Sequence, residues 1–197
     1  MRITLIAALM AGTLATPVFA QDTPPPSPPS SHSGFRIEGL VGWDSTELLG
    51  DDQGGILYGV GVGYDFQTGR AVFSIEAEAN DSTNNGCLTG IVNANDRFCV
   101  TSGRDLYIGA RAGILVGRDV LLFGKVGYTN ARYISEYDDA TAGIHDRYGT
   151  TVDGLRVGAG AQFGIGRDAY FRTEARYSSY RGGGDRGALL GAFGFRF

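Results

Sequence analysis

Two histidines are the side chains of this sequence best suited to acid–base catalysis near neutral pH. His32 belongs to a proline-rich stretch, DTPPPSPPSSHS, where we expect no pocket. His145 stands beside Asp146 in AGIHDRYG, and a lone histidine next to an aspartate is more typical of a solvated surface pair than of a catalytic site. We therefore predict no enzymatic activity and no cofactor. The His and Cys spacing also gives no support to a metal site.

Two cysteines, Cys87 and Cys99, are separated by the eleven residues LTGIVNANDRF. In an oxidising compartment they would close one small loop as a disulfide bond. Two free thiols are the alternative. A single pair is too few for a disulfide-rich mini-protein, so the fold must be supported by other elements.

The N-terminal part of the sequence predicts export. Residues 1–20 combine Arg2, an apolar stretch and small residues up to Ala20, which is typical of a Sec-type signal peptide cleaved near Ala20. Residues 21–33 predict a Pro/Ser-rich periplasmic linker, and residues 34–197 form the predicted folded domain, which contains no proline. Without Arg2 the balance is 16 basic against 21 acidic residues, which argues against nucleic-acid binding.

The predicted domain is dominated by a period of two, as in GGILYGVGVGYDF, and this period indicates β-strands. We count eight such strands, each consistent over roughly ten residues, the length of a tilted membrane-crossing strand. Tight turns such as QTGR alternate with connections of about nine, more than twenty, about twenty and about six residues, of which the second carries both cysteines. The predicted fold class is therefore all-β, an eight-stranded antiparallel up-and-down transmembrane β-barrel with short periplasmic turns and longer external loops.

Two interpretations compete for the alternating strands: a soluble barrel with an apolar core, and a membrane barrel with an apolar outer face. The membrane interpretation is favoured because no charged residue falls on the apolar face, and because aromatic residues gather near both strand ends. The predicted interface aromatics are Trp43, Tyr58, Tyr64, Tyr128 and Tyr177.

The opposite face carries five acids and seven bases that would share a narrow lumen. An eight-stranded barrel is only wide enough for side chains to fill it, and buried charges must be paired to be tolerated. We predict a salt-bridged lumen, with an ion-conducting path as the alternative. The predicted network is Arg36, Glu38, Asp65, Glu76, Glu78, Arg111, Lys125, Arg156, Arg172, Glu174, Arg176 and Arg196.

Several motifs carry a resemblance to a known family: GKVGYTNARY, YFRTEARYSSY and the terminal GFRF. With them the sequence resembles the small porin-like outer-membrane proteins of alphaproteobacteria, within the opacity-protein and OmpA/OmpX-type eight-stranded barrels. The resemblance implies a structural surface protein of the Gram-negative outer membrane, in contact with lipid and lipopolysaccharide. It also implies that the terminal aromatics belong to a signal read by the barrel-assembly machinery, here Phe193, Phe195 and Phe197.

The functional expectation is a structural protein that contributes to envelope integrity and presents external loops. A small ion-conducting porin is one alternative. Adhesion or binding of an external ligand is another, since the long connections DSTELLGDDQGG, NDSTNNGC and EYDDATAGIHDRYG are acidic and suited to recognition. A lipid A-modifying enzyme that uses His145 is the third alternative.

Overall fold

The computed structural model describes residues 32–48, 51–90, 96–139, 143–182 and 184–197. The predicted signal peptide and residues 21–31 of the predicted linker lie outside the described residues. Every regular element in these ranges is a β-strand. They contain no helix that is long and apolar enough to cross a membrane.

The described residues form nine antiparallel strands. In chain order they are β1 (Gly34–Leu48), β2 (Asp51–Thr68), β3 (Ala71–Ser82), β4 (Asn85–Thr89), β5 (Asp96–Val116), β6 (Val120–Asp139), β7 (Ile144–Ile165), β8 (Ala169–Tyr180) and β9 (Asp185–Arg196).

Eight of these strands close a ring. The strand order is β3-β2-β1-β9-β8-β7-β6-β5-β4, and β3 also pairs with β5. The seam between the first and last strands runs from Arg36 opposite Arg196 to Thr46 opposite Arg186. β4 stands outside the ring, paired with the loop-side end of β5. The predicted eight-stranded antiparallel up-and-down barrel is confirmed, with β4 as a short addition.

The predicted connection lengths are wrong on the loop side. β5, β6 and β7 contain 21, 20 and 22 residues, so most of the two connections predicted at about twenty residues is paired strand. The segment predicted as the third long loop, 134–153, is largely a hairpin in which Glu136 lies opposite Arg147 and Asp138 opposite His145. Both faces of this hairpin mix polar and apolar side chains, so it lacks the apolar alternation that reveals a strand. Backbone pairing and cross-strand side-chain pairs sustain it instead.

The strands have an inverted pattern of burial. Side chains that point into the ring are largely polar, and Arg36 and Arg172 are both 0% exposed. Side chains that point outward are largely apolar, as shown by Val41 at 60%, Ile75 at 62% and Leu155 at 66% exposure. A chain in water would bury the second set and expose the first. The outer face therefore matches a hydrocarbon solvent.

Candidate functional site

The lumen, which is the interior of the ring, holds all twelve of the predicted network residues. Eleven are buried, and the side chain of Arg196 is 11% exposed at the turn-side rim. Inward residues come from every ring strand, because the period of two sends alternate side chains inside. The glycines among them leave room. A Cβ on Gly63, for example, would lie 2.9 Å from the guanidinium carbon of Arg36.

At the turn-side end, Asp65 accepts hydrogen bonds from several partners at once. Arg36 Nε lies 3.1 Å and Arg111 Nη2 3.0 Å from Asp65 Oδ1, and Arg196 Nη2 lies 3.0 Å from Oδ2. The Ser74 hydroxyl donates to the same carboxylate at 2.6 Å. One carboxylate thus joins three arginines from three different strands.

In the middle of the lumen, the ammonium of Lys125 is shared by three carboxylates. Its Nζ lies 3.0 Å from Glu76 Oε1, 2.5 Å from Glu78 Oε1 and 3.1 Å from Glu174 Oε1. The same ammonium stands 4.4 Å from the centre of the Tyr107 ring. All of these side chains are buried, so the three carboxylates depend on this cation and on the arginines beside it.

Arginines extend the network around this centre. Arg172 Nη2 donates to Glu38 Oε1 at 2.6 Å, and its Nη1 contacts Glu174. Arg36 Nη1 lies 3.1 Å from Glu38 Oε1. The Tyr170 hydroxyl donates to the other oxygen of Glu38 at 2.8 Å. Each carboxylate is shared by at least two cations or donors, so it keeps a partner when one contact is lost.

The loop-side part of the lumen contains a further group that the predicted network did not include. Asp44 accepts from Arg186 Nε at 2.6 Å and from the Ser82 hydroxyl at 2.8 Å. Asp105 contacts Arg156 and accepts from the Thr129 hydroxyl at 2.6 Å. With Asp44, Asp105 and Arg186 added to the predicted twelve, the lumen holds seven acids and eight bases. Alternation could have found all three, because each lies in step with predicted inward residues of its own strand.

Apolar and aromatic side chains also enter the lumen, against the predicted separation of faces. Leu40, Leu57 and Leu190 form one buried cluster with Ala192. The Phe123 ring, which breaks the alternation of its strand, lies 5.0 Å from the guanidinium carbon of Arg111. Such residues fill space between the charged layers and lower the local dielectric around them. The lumen therefore contains apolar and aromatic side chains as well as charges.

The five predicted interface aromatics all lie on the outer face. Trp43, Tyr58, Tyr128 and Tyr177 are near the loop-side rim and Tyr64 near the turn-side rim, with exposures between 42% and 58%. Just beyond this level, the hydroxyl of Tyr128 and the amide of Asn130 donate to Asp153. These hydrogen bonds lower the pKa of Asp153. Rings with one polar end at this height match a membrane–water boundary.

The match to known families decides what this barrel is. The family model described as outer membrane protein beta-barrel domain covers residues 6–197. The chain belongs to this outer-membrane barrel family. The protein is therefore located in the outer membrane of a Gram-negative bacterium, as predicted. No curated protein matches the sequence significantly.

Solved structures similar to this outer-membrane barrel share its fold at low sequence identity. Ail, the attachment invasion locus protein of Yersinia pestis, solved with the heparin analogue sucrose octasulfate, is 12% identical over 84% of this chain and 99% of that chain, with a TM-score of 0.57. Neisserial surface protein A is 14% identical over 84% of this chain and 98% of that chain, with a TM-score of 0.54. Likenesses at this identity establish the fold.

Outside the membrane band, the barrel continues as an external lobe made of β4 and the loop-side ends of β5, β6 and β7. Cys87 on β4 lies directly opposite Cys99 on β5, and the two form a disulfide with a Cα–Cα distance of 4.1 Å. The predicted disulfide is confirmed. It fixes the short β4 strand to a much longer neighbour, and Arg97 donates to the Cys87 sulfur at 3.4 Å.

The two histidines of this outer-membrane barrel occupy opposite rims. His145 Nδ1 lies 2.5 Å from Asp138 Oδ1 across the external hairpin, so its partner is Asp138 and not the neighbouring Asp146. Both side chains are more than half exposed. His32 is buried at the turn-side rim, where its backbone N–H donates to Gln67 Oε1 at 2.6 Å. Among the described residues, no group of three or more His, Cys, Asp or Glu side chains could hold a metal ion.

The terminal aromatics of the barrel lie on the outer face of β9 and just after it. Phe193 and Phe195 are each 48% exposed and Phe197 is 78% exposed. The backbone N–H of Phe197 donates to the carbonyl of Phe35 at 2.8 Å, so the end of the chain is tied to the first strand. Arg196 points the other way, into the lumen, towards Asp65.

Proposed function

We propose that this protein is a structural component of the outer membrane, with a closed salt-bridged lumen and an external lobe presented at the cell surface. The observation that carries the proposal is the contact of Lys125 with Glu76, Glu78 and Glu174 within the packed lumen. Moving ions through this layer would require separating several buried pairs at once. That separation is costly where the dielectric is low.

Conductance tests the closed lumen against the porin alternative. The purified barrel, inserted in a planar lipid bilayer, should give no stable conductance steps. The variants Arg172→Gln and Arg176→Gln test the porin alternative, because Arg172 contacts Glu174 and Arg176 contacts Glu78 in this layer. Steps in the wild-type protein that vanish in these variants would establish a small ion-conducting porin and refute the closed lumen.

The proposal also predicts that the protein contributes to envelope integrity in the cell. A strain that lacks the gene should become more sensitive to detergent, and the wild-type protein supplied in trans should restore resistance. A variant with the external lobe shortened, by joining residues 136 and 147 through a tight turn, should restore resistance equally well. If the shortened-lobe variant failed to restore detergent resistance, the role would belong to the external lobe and not to the barrel.

Binding through the external lobe is the second candidate, and it is favoured by one observation. Tyr148 and Ile144 are 66% and 43% exposed on a paired and therefore defined surface. Ail was solved in complex with the heparin analogue sucrose octasulfate, so a barrel of this fold can bind a ligand. Adhesion of cells that express the intact protein, compared with the shortened-lobe variant, tests this candidate. Equal adhesion would exclude it.

The proposal includes a route to the membrane. Residues 1–20 would direct Sec-type export with cleavage near Ala20, and residues 21–33 would serve as a periplasmic linker. The outward aromatics Phe193, Phe195 and Phe197 would be read by the barrel-assembly machinery, while the interface aromatics would contact lipid and lipopolysaccharide. Removing Phe197 should lower the yield of heat-resistant barrel in the outer membrane. Full yield would contradict this assembly role.

A further inference from the structure

Three short turns at one rim of the barrel share the same construction. They connect β2 with β3, β5 with β6, and β7 with β8. Each contains a glycine in the left-handed region, with φ of 61°, 72° and 71° at Gly69, Gly117 and Gly166. Each glycine is followed directly by an arginine, giving the set Arg70, Arg118 and Arg167.

The backbone of each turn is fixed to the next ring strand by a hydrogen bond. The carbonyl acceptors belong to the last turn residues, and the bonds are Leu115 N to Arg70 O at 2.8 Å, Gly164 N to Asp119 O at 2.7 Å, and Arg196 N to Asp168 O at 2.8 Å. The turns are therefore held in place by the barrel wall. Their arginine side chains are presented from a defined position.

The three arginine side chains contribute nothing to the pairing inside the barrel. All three residues are exposed, and no ion pair within the described residues includes any of them. The lumen arginines, in contrast, are all buried or nearly so. Asp119 and Asp168 follow two of the turn arginines and are exposed as well, so the rim carries both signs of charge.

Each turn lies close to large side chains that face lipid. A directly opposed pair of apolar residues precedes and follows every turn: Phe66 with Phe73, Ile114 with Leu122, and Phe163 with Phe171. At most four residues separate an arginine from its pair, which is roughly 13 Å along a strand and roughly 9 Å along the membrane normal at a tilt of about 45°. The guanidinium groups are thus within reach of the headgroup layer.

The distribution of the turns around the barrel also matters. The turns are two ring strands apart, and the ends of the described chain occupy the remaining quarter of the rim. Such even spacing matches the annulus of lipid that surrounds a barrel, whereas a folded partner would meet one continuous patch. A planar guanidinium binds a phosphate through two parallel hydrogen bonds. The carboxylates beside two of the arginines suit the ammonium of a zwitterionic headgroup.

We propose that Arg70, Arg118 and Arg167 bind the phosphodiester headgroups of phospholipids in the periplasmic leaflet. Short turns of such barrels face the periplasm, so these arginines meet the leaflet that contains phospholipid. The three arginines set the position of the barrel along the membrane normal at the periplasmic surface. The interface aromatics set it near both membrane–water boundaries.

Solid-state NMR of the full-length mature protein in bilayers of phosphatidylethanolamine and phosphatidylglycerol tests the proposal directly. With arginine labelled by ¹⁵N, the guanidinium signals should be dephased by lipid ³¹P. The combined variant Arg70→Gln, Arg118→Gln and Arg167→Gln should lose a large part of this dephasing. The matched control, Arg97→Gln with Arg147→Gln in the external lobe, should keep all of it. The triple Arg→Lys variant checks folding and retains contacts by charge alone.

Three results would overturn the proposal. Equal dephasing in the triple glutamine variant and the wild type would show that the turn arginines do not contact lipid phosphate. Equal dephasing by inorganic phosphate in detergent micelles would show a free-anion site. Co-sedimentation with purified peptidoglycan that is lost only in the triple glutamine variant would assign the rim to the cell wall.

Discussion

The lumen and the external lobe contain the same kinds of ion pair in opposite surroundings. In the lumen, Arg172 and Glu38 are 2.6 Å apart with side-chain exposures of 0% and 1%. In the lobe, Arg147 and Glu136 are 3.1 Å apart with exposures of 68% and 51%. Water solvates the second pair whether or not it forms, so its net contribution is small. The first pair has no water to replace a missing partner.

The comparison shows that the number of ion pairs in a region says little about how strongly they stabilise it. A buried network is not strongly stabilising relative to an apolar core, but its members depend on one another once they are buried. Each carboxylate at the centre of the lumen has more than one cation, and Lys125 and Arg172 each contact more than one carboxylate. The loss of one charge in the lumen should therefore lower the free energy of unfolding, whereas the loss of one charge in the lobe should leave it nearly unchanged.

The largest effect is expected for Lys125→Met, which leaves Glu76, Glu78 and Glu174 without their shared cation. We expect a loss of about 3–5 kcal/mol in the free energy of unfolding, the range for removing one partner of a buried ion pair, because the three carboxylates then depend on their arginines alone. Trp43, the one tryptophan of the sequence, reports unfolding by urea in lipid bilayers through its fluorescence.

Arg147→Met is the matched control, because it removes a cation of the same charge from an exposed pair. It should change the free energy of unfolding by no more than about 0.5 kcal/mol. A loss below about 1 kcal/mol for Lys125→Met, or an equal loss for the two variants, would contradict the contrast between the regions.

The second effect is confined to the lobe. Replacing Cys87 and Cys99 together by serine removes a cross-link that closes a short loop, worth about 3 kcal/mol on a chain-entropy estimate. The loss should appear as faster amide hydrogen exchange in β4, while exchange in β8 stays unchanged. Reduction of the wild-type protein should reproduce the same pattern. Faster exchange throughout the ring would show that the lobe supports the barrel.

The third effect compares two buried tyrosines of the lumen. Tyr170 donates to Glu38 at 2.8 Å, whereas the hydroxyl of Tyr107 has no hydrogen-bond partner among the described residues. Tyr170→Phe should cost about 1.5–3 kcal/mol, the range for a hydrogen bond to a charged group. Tyr107→Phe should be neutral or slightly stabilising. Equal costs in urea unfolding would indicate that the two hydroxyls have equivalent environments.

The sequence predicts the ring well because hydrocarbon imposes a strict pattern on it. Val41, Ile75 and Leu155 lie on the outer face, as the predicted apolar face requires, and Arg36 and Arg172 lie inward as predicted. Alternation was less informative near the rims of the barrel, where the outward side chains no longer face hydrocarbon. Arg186 was missed because it lies in RGGGDR, a segment interpreted as a connection, and Asp105 because it stands at the very beginning of a predicted strand.

The external lobe could not be predicted from periodicity for a physical reason. The loop-side end of β7 is exposed on both faces, so Ile144, His145 and Asp146 can follow one another without any penalty. The partner of His145 is set by the register of the hairpin, and register depends on pairing across the chain rather than on neighbours in sequence. Inside the barrel the inward position of Phe123 was visible in the alternation, but its contact with Arg111 was not.

The smallest effect is the coupling between Glu136 and Arg147, measured by a double-mutant cycle with Glu136→Gln and Arg147→Gln. We expect at most about 0.5 kcal/mol, falling towards zero as added salt shortens the range of the interaction. The same cycle on Glu38 and Arg172 should give a coupling several times larger that changes little with salt, because salt does not reach side chains 0–1% exposed. Urea unfolding at low and high ionic strength measures both couplings. If the lumen pair were as sensitive to salt as the lobe pair, water and ions would have access to the lumen, and the closed barrel would have to be abandoned in favour of a conducting one.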